Sequence, residues 1–333
     1  MTVGSGIGSS IGCGKETVYG SFVTPTRWLE YESETLKLMP NRIQGNGLAQ
    51  GVFVPRGSQR VTTTQQGGGD LKSRFFYKGM GLYLGALMGN TSLAPVQQGA
   101  TAAYLQTHVL ADPSGDMLTI QKGVPDLGGT IRKYNFVGSK VEKATFECGV
   151  DQPLMVTFNI DSKNVDETNA YTSPTYLTSN PYFHFGQFSY LAGAVGAEAA
   201  VTGVQKVSLV IDRPMYDKGF YADGTGLKAE PTLNGYTKIT GSIETDFIDK
   251  TKFADLFVSG AAVPSIIFRW QGPIIASTFH NQLDIQLTDM FFDTDTPQVG
   301  GPDVVKPKIN FTALYDDSNQ PLTISYTSTD TTL

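Results

Sequence analysis

One stretch of this chain occurs twice, and that repeat constrains the fold more than any other feature. Val141–Ser162 reads VEKATFECGVDQPLMVTFNIDS, and Val305–Ser328 reads VKPKINFTALYDDSNQPLTISYTS. Both copies run Lys-x-x-Phe (Lys143/Phe146 and Lys308/Phe311), then a polar turn, then Gln-Pro-Leu (Gln152–Leu154 and Gln320–Leu322), then alternating β-formers. The offset is 311 − 146 = 165 at the Phe and 320 − 152 = 168 at the Gln, so the second turn carries three extra residues. A supersecondary unit used twice decides architecture before local detail does.

The rest of the chain follows the same division. Thr35–Met39 and Val207–Ile211 read as strands, ended by Pro40 and Pro214. Arg42–Ser58 and Met215–Gly235 read as long loops, and Arg60–Gln66 and Tyr236–Asp246 as the next strands. Phe75–Met88 has helical spacing with Gly89 as its stop; Thr251–Val258 is its counterpart, capped by Asp249 and followed by Gly260. Tyr104–Leu110 and Met117–Lys122 match Ser265–Trp270 and Gln282–Leu287, and Tyr134–Cys148 is a long strand broken near Gly138. Each half thus ends in a hairpin-like pair. The expectation is a mainly β chain of two tandem antiparallel β-sandwich domains, each with a short flanking α-helix. The boundaries are an N-terminal arm over 1–30, a first domain over 31–164, a linker or extended loop over 165–195, and a second domain over 196–333.

Composition removes several function classes. Hydrophobic residues make up 40% and charged residues 17%, and no apolar run approaches the roughly 20 residues that cross a bilayer. The start, MTVGSGIGSS, lacks the basic and apolar regions of a signal peptide, so the chain is expected on the cytosolic side. There Cys13 and Cys148 are expected as free thiols. A net charge of −6 argues against a basic nucleic-acid groove. Gly12-Cys13-Gly14-Lys15 has neither the glycine spacing nor the Ser/Thr of a phosphate loop, and residues 1–14 read as a flexible arm. His108, His184 and His280 are isolated in strand-like stretches, and Asp293-Thr294-Asp295 reads as a solvated turn. No catalytic, cofactor-binding or metal-binding residue is assigned. Tyr182, Phe183, Phe185, Phe188 and Tyr190 form a dense aromatic run, either a core edge or a contact between subunits.

Three segments carry a family resemblance: Lys15–Arg27 (KETVYGSFVTPTR), Thr237–Phe257 (TKITGSIETDFIDKTKFADLF) and Gly300–Tyr326 (GGPDVVKPKINFTALYDDSNQPLTISY). In these the chain resembles the tail tube, or major tail, proteins of bacteriophages with long non-contractile tails. The first half departs most, with its glycine-studded helix and Gly-rich loops. The resemblance implies a structural virion protein, made in the host cytoplasm, whose sheets join those of neighbours into a ring-shaped β-barrel. Rings stack into a tube through which genomic DNA passes without specific binding. It also implies tape-measure and tail-terminator proteins as partners. The duplication fits members that place two tube domains in one chain and close as trimeric, pseudo-hexameric rings. On that reading Glu142, Glu147, Glu244 and Asp246 are candidates for an acidic lumen, or else lie on outward solvated faces. The competing readings are a β-sandwich binding or adhesion module on a virion or bacterial surface, and a carbohydrate-active β-sandwich enzyme.

Overall fold

Short runs of alternating apolar and polar residues, broken by glycine and proline, fold here into nineteen antiparallel strands and two short α-helices among the described residues. The computed structural model describes residues 5–246, 254–293, 301–302 and 305–333. The first half contains β1 (Ser10–Lys15), β2 (Arg27–Leu29), β3 (Ser33–Glu34), β4 (Lys37–Gln44), β5 (Arg60–Arg74), α1 (Gly81–Met88), β6 (Val96–Gln97), β7 (Tyr104–Val109), β8 (Leu118–Pro125), β9 (Ile131–Gly149), β10 (Met155–Ser162) and β11 (Asn164–Asp166). The second contains β12 (Phe188–Gly193), β13 (Ala199–Ala200), β14 (Val204–Asp212), β15 (Lys238–Thr245), α2 (Ala254–Ser259), β16 (Val263–Ala276), β17 (Phe279–Phe292), β18 (Lys308–Ala313) and β19 (Leu322–Ser328).

One seven-strand order recurs in the two halves, while β3, β6 and β7 of the first half have no counterpart in it. In the first it runs β4-β5-β10-β9-β8-β1-β2, with β11 on the other edge of β9. In the second it runs β14-β15-β18-β17-β16-β12-β13, with β19 on the other edge of β17. The halves meet at two places: β9 pairs with β14, from Lys143↔Asp212 to Gly149↔Lys206, and β7 of the first half pairs with β19 of the second, from Tyr104↔Ser328 to Val109↔Thr323. The first pairing makes one continuous wall, β5-β10-β9-β14-β15-β18. The pairings branch but never return to their start, so a single chain forms an open sheet and no closed barrel.

The repeated stretch does not occupy equivalent places. Its first copy is the hairpin β9–β10. In the second copy β18 and β19 do not pair; both lie along one edge of β17, β18 at Met290–Phe292 and β19 at Gln282–Leu287. In strand order β18 therefore stands where β10 stands, and β17 where β9 stands. The longer connection at 314–321 lets the chain leave the wall and run on along the second layer, where a tight turn would have folded it back into a hairpin.

One apolar cluster spans both halves. Val156, Phe158 and Ile160 of β10, Ala144 and Phe146 of β9, Val207, Leu209 and Ile211 of β14, and Ile309 and Phe311 of β18 all face it from the wall. Across the second half it is closed by β16, whose Phe268 lies 5.9 Å from Phe311. Across the first half it is closed by α1, where Tyr83 stacks 5.1 Å from Phe158. All eight residues of α1 are buried, so the helix lies inside the fold, not on its flank. It ends as expected at Gly89, with φ +80°. For α2, Asp249 and residues 251–253 lie outside the described residues.

Four local expectations are corrected. The arm is not free: β1 is buried and paired on both edges, with β2 and β8. Gly12 serves packing there, since a Cβ on it would sit 2.7 Å from the Trp28 ring. Pro40 does not end its strand; it lies within β4, an edge strand, where a missing N–H costs nothing. The strand expected over Arg60–Gln66 runs on to Arg74 as β5 and takes in Gly67-Gly68-Gly69; a Cβ on Gly69 would meet the Thr35 carbonyl at 2.5 Å. The 165–195 stretch is tied into the core by Phe183 and Tyr190, and hydrogen bonds bind it to Phe75, Tyr77 and Leu154.

Helical glycines ordinarily cost about 1 kcal/mol relative to alanine. Gly85→Ala is expected to reverse that sign. Its Cβ would lie 2.8 Å from the Asn90 carbonyl oxygen and 3.2 Å from the Leu333 side chain, both packed against α1. A loss of about 1–3 kcal/mol, read as a lower denaturant midpoint, is the expected outcome.

Candidate assembly surface

The wall has one apolar face and one polar face, because side chains alternate along each strand. Cross-strand register lines up the polar face in rows. One row across six strands is Lys72-Thr157-Thr145-Val210-Thr240-Thr312, in which four residues are threonines. On one side of it lies Asp70-Asn159-Lys143-Asp212-Lys238. On the other lie Arg74-Met155-Glu147-Ser208-Ser242-Asn310 and, beyond them, Lys206-Glu244-Lys308. Opposite charges alternate along the outer rows, where facing side chains stand about 5 Å apart. Lys206 and Glu244 pair at 3.5 Å, and Asn159 donates to Asp70 at 2.8 Å.

The four acidic candidates do not gather into a stripe. Glu147 and Glu244 are on the polar face, and Glu244 is flanked by Lys206 and Lys308. Asp246 lies just past the end of β15 and accepts two hydrogen bonds from the Gln205 amide at 2.9 Å. Glu142 is off the polar face: its main-chain carbonyl accepts from Arg213 N–H, and its Oε1 is buried without a partner. Burial, with the charge of Asp161 next, pushes its carboxyl up to about 7. Six cations (Lys72, Arg74, Lys143, Lys206, Lys238, Lys308) against four anions (Asp70, Glu147, Asp212, Glu244) leave this face mixed in charge, not acidic.

Burial separates the aromatic candidates. Phe183 and Tyr190 are core residues: Phe183 packs 4.7 Å from Tyr77, and Tyr190 packs 5.8 Å from Phe268. Neither can touch another subunit without opening the fold. Tyr182, Phe185 and Phe188 are half-buried. Tyr182 lies edge-on to Phe76 beneath the Arg74 guanidinium, and Phe188 lies 4.9 Å from Trp270.

The joint between the halves is reinforced by buried ions that the sequence reading did not single out. The β14–β15 connection folds back over the first half. At its root, Arg213 donates to the Leu87 carbonyl at 2.6 Å and to the Ala111 carbonyl, which places a cation at the C-terminus of α1. Further along, Lys228 pairs with Asp161. Glu230 pairs at 2.5 Å with Lys140, a fully buried lysine that also donates to the Pro113 carbonyl. These partners are far apart in sequence and have no spacing signature. Only strand register brings them together.

The corresponding connection in the first half, the β4–β5 hairpin, projects into solvent. Leu48 and Phe53 at its tip are fully exposed, and Ile43, Val54 and Val61 are about half exposed or more. Cys13 and Cys148 are buried free thiols, pushed up to about 12 and about 11 by burial. His108 is buried and lowered to about 4. Among the described residues no group of three His, Cys, Asp or Glu is placed to hold a metal, and no helix is long and apolar enough to cross a membrane.

An open antiparallel wall, polar on one face and continuous through the middle of the chain, leaves sheet edges with unpaired main-chain groups. A family model for phage tail tube proteins matches residues 6–313, and the chain belongs to that family. It is a component of the virion tail. Among curated proteins no relative matches the chain.

Glu142→Gln tests the buried joint. The folded carboxyl titrates at about 7, above its ordinary 4.5, so its contribution is full at low pH and is lost as pH rises from 4.5 through 7. The substitution is expected to leave stability at pH 4 nearly unchanged and to raise it at pH 8 by roughly 1–2 kcal/mol after allowance for partial exposure. Thermal melts at the two pH values check this.

Proposed function

We propose that this chain self-assembles into rings that stack into the phage tail tube, the channel for genome delivery. The observation that carries the reading is the β9–β14 pairing, which joins edge to edge two halves that share one seven-strand order. Repeating that joint between chains would bring the open β3–β4 edge of one copy against the second half of the next. Each half then acts as one tube domain, and three chains close a pseudo-hexameric ring without leaving an edge.

On this reading the polar face lines the channel. Its rows of alternating sign would keep the potential low beyond about a Debye length, roughly 8–10 Å, so phosphates would find no basic track to bind. The threonine hydroxyls of the central row offer neutral contacts that water can replace. Tyr182, Phe185 and Phe188 remain available for contact between copies. Tape-measure and tail-terminator proteins are the expected partners within the lumen and at the tube ends.

Electron microscopy of concentrated protein should show rings or hollow tubes, and native mass measurement of one ring should give three chains. Six chains per ring would mean that the two halves are not both tube domains. Persistent monomers would count against assembly altogether.

A further inference from the structure

Resting on that ring reading, we infer that the β4–β5 hairpin of one copy seats on the second half of its neighbour within the same ring. It would land on the surface formed by Asp289 and the segment Leu314–Asp317. The argument starts from the two matching connections. In strand order the β14–β15 connection corresponds to the β4–β5 hairpin. The first of these is docked on the first half of its own chain, through Lys228 to Asp161 and Glu230 to Lys140. The second has the same origin in the fold, yet its tip has no partner surface.

Register locates the equivalent landing site. Phe158 stands between Leu71 and Ala144 as Phe311 stands between Gly241 and Phe292. Three residues on, Leu314 holds the place of Asp161; the residue facing it is Asp289, as Lys140 faces Asp161, with a one-residue bulge between Phe158 and Asp161 in the first half that shifts Lys140 one position further along its strand. Asp161 faces Lys140 in register, and the Leu314 N–H correspondingly donates to the Asp289 carbonyl at 3.1 Å. The place that is covered in the first half is bare in the second: Leu314 and Tyr315 are half exposed or more.

The two surfaces are complementary in chemistry. From Thr35 to Gly69 the chain carries Lys37, Arg42, Arg56 and Arg60 and no acidic residue, with Leu48 and Phe53 fully exposed at the hairpin tip. The landing site pairs exposed Leu314 and Tyr315 with Asp289, Asp316 and Asp317. An apolar tip among cations thus meets an apolar patch among anions, as expected of an interface with a buried centre and a charged rim. The first half lacks this patch because its own chain supplies the cover.

The full-length double variant Phe53→Cys/Tyr315→Cys tests the contact. The native thiols are buried, so the two new ones react first under mild oxidation. Single rings, separated from tubes by size, should yield disulfide-linked trimers on a non-reducing denaturing gel, while either single variant should yield none. Links confined to stacked tubes would place the hairpin between rings and overturn the inference, as would rings that form no link. Phe53→Asp gives an independent reading. Its monomer should melt like the parent, and its ring yield at fixed concentration should fall at least tenfold. Closed rings at parental yield would overturn the inference and leave the ring reading standing. A parent chain that never assembles would overturn both.

Discussion

The pairing of β9 with β14 is the interaction on which the rest of the structure depends. It spans seven facing residue pairs and turns two sets of strands into one wall. Val207, Leu209 and Ile211 on β14 are buried against the same core as Ala144 and Phe146 on β9. At about 1.5–3 kcal/mol for each large apolar side chain, these side chains hold the halves together far more strongly than the exposed ion pairs on the opposite face. A sheet joined in this way has no natural boundary at mid-chain. It ends only at its outer edges, and the proposed assembly follows from that.

The ions beneath the β14–β15 connection act differently. Lys140, Lys228 and Arg213 are each almost wholly removed from water, and each meets a carboxylate or main-chain carbonyls. Buried pairs of this kind add little net stability, but leaving one partner alone is costly. Their effect is to fix where the connection lies. A connection held over α1 cannot also reach outward, which is why the two halves present different surfaces despite their shared seven-strand order.

Much of the architecture was legible in the sequence. Alternation placed the cores of β7, β8, β14, β15, β16 and β17, and Gly138 marked the bend in β9, where its φ is +62°. Misreadings arose where a residue's meaning depends on its neighbours in space. Pro40 reads as a stop but is tolerated at an open edge, and Gly12 and Gly14 read as a mobile arm but make room for Trp28 and the Thr24 carbonyl. The aromatic run at 182–190 was visible as a run. Its division into core residues (Phe183, Tyr190) and half-buried ones required knowing that it threads between Phe75 and Trp270.

The sequence by itself determined the β class and the polar–apolar alternation that gives each strand an inner and an outer face, because these are set by residues close together along the chain. Only the tertiary structure decided which strands pair, that β18 stands in the place of β10, and that Glu142 leaves the face carrying Glu147 and Glu244. The physical reason is register. A shift of one residue moves every side chain of a strand to the other face, and register is set by packing between segments that are separate along the chain, which local sequence does not encode.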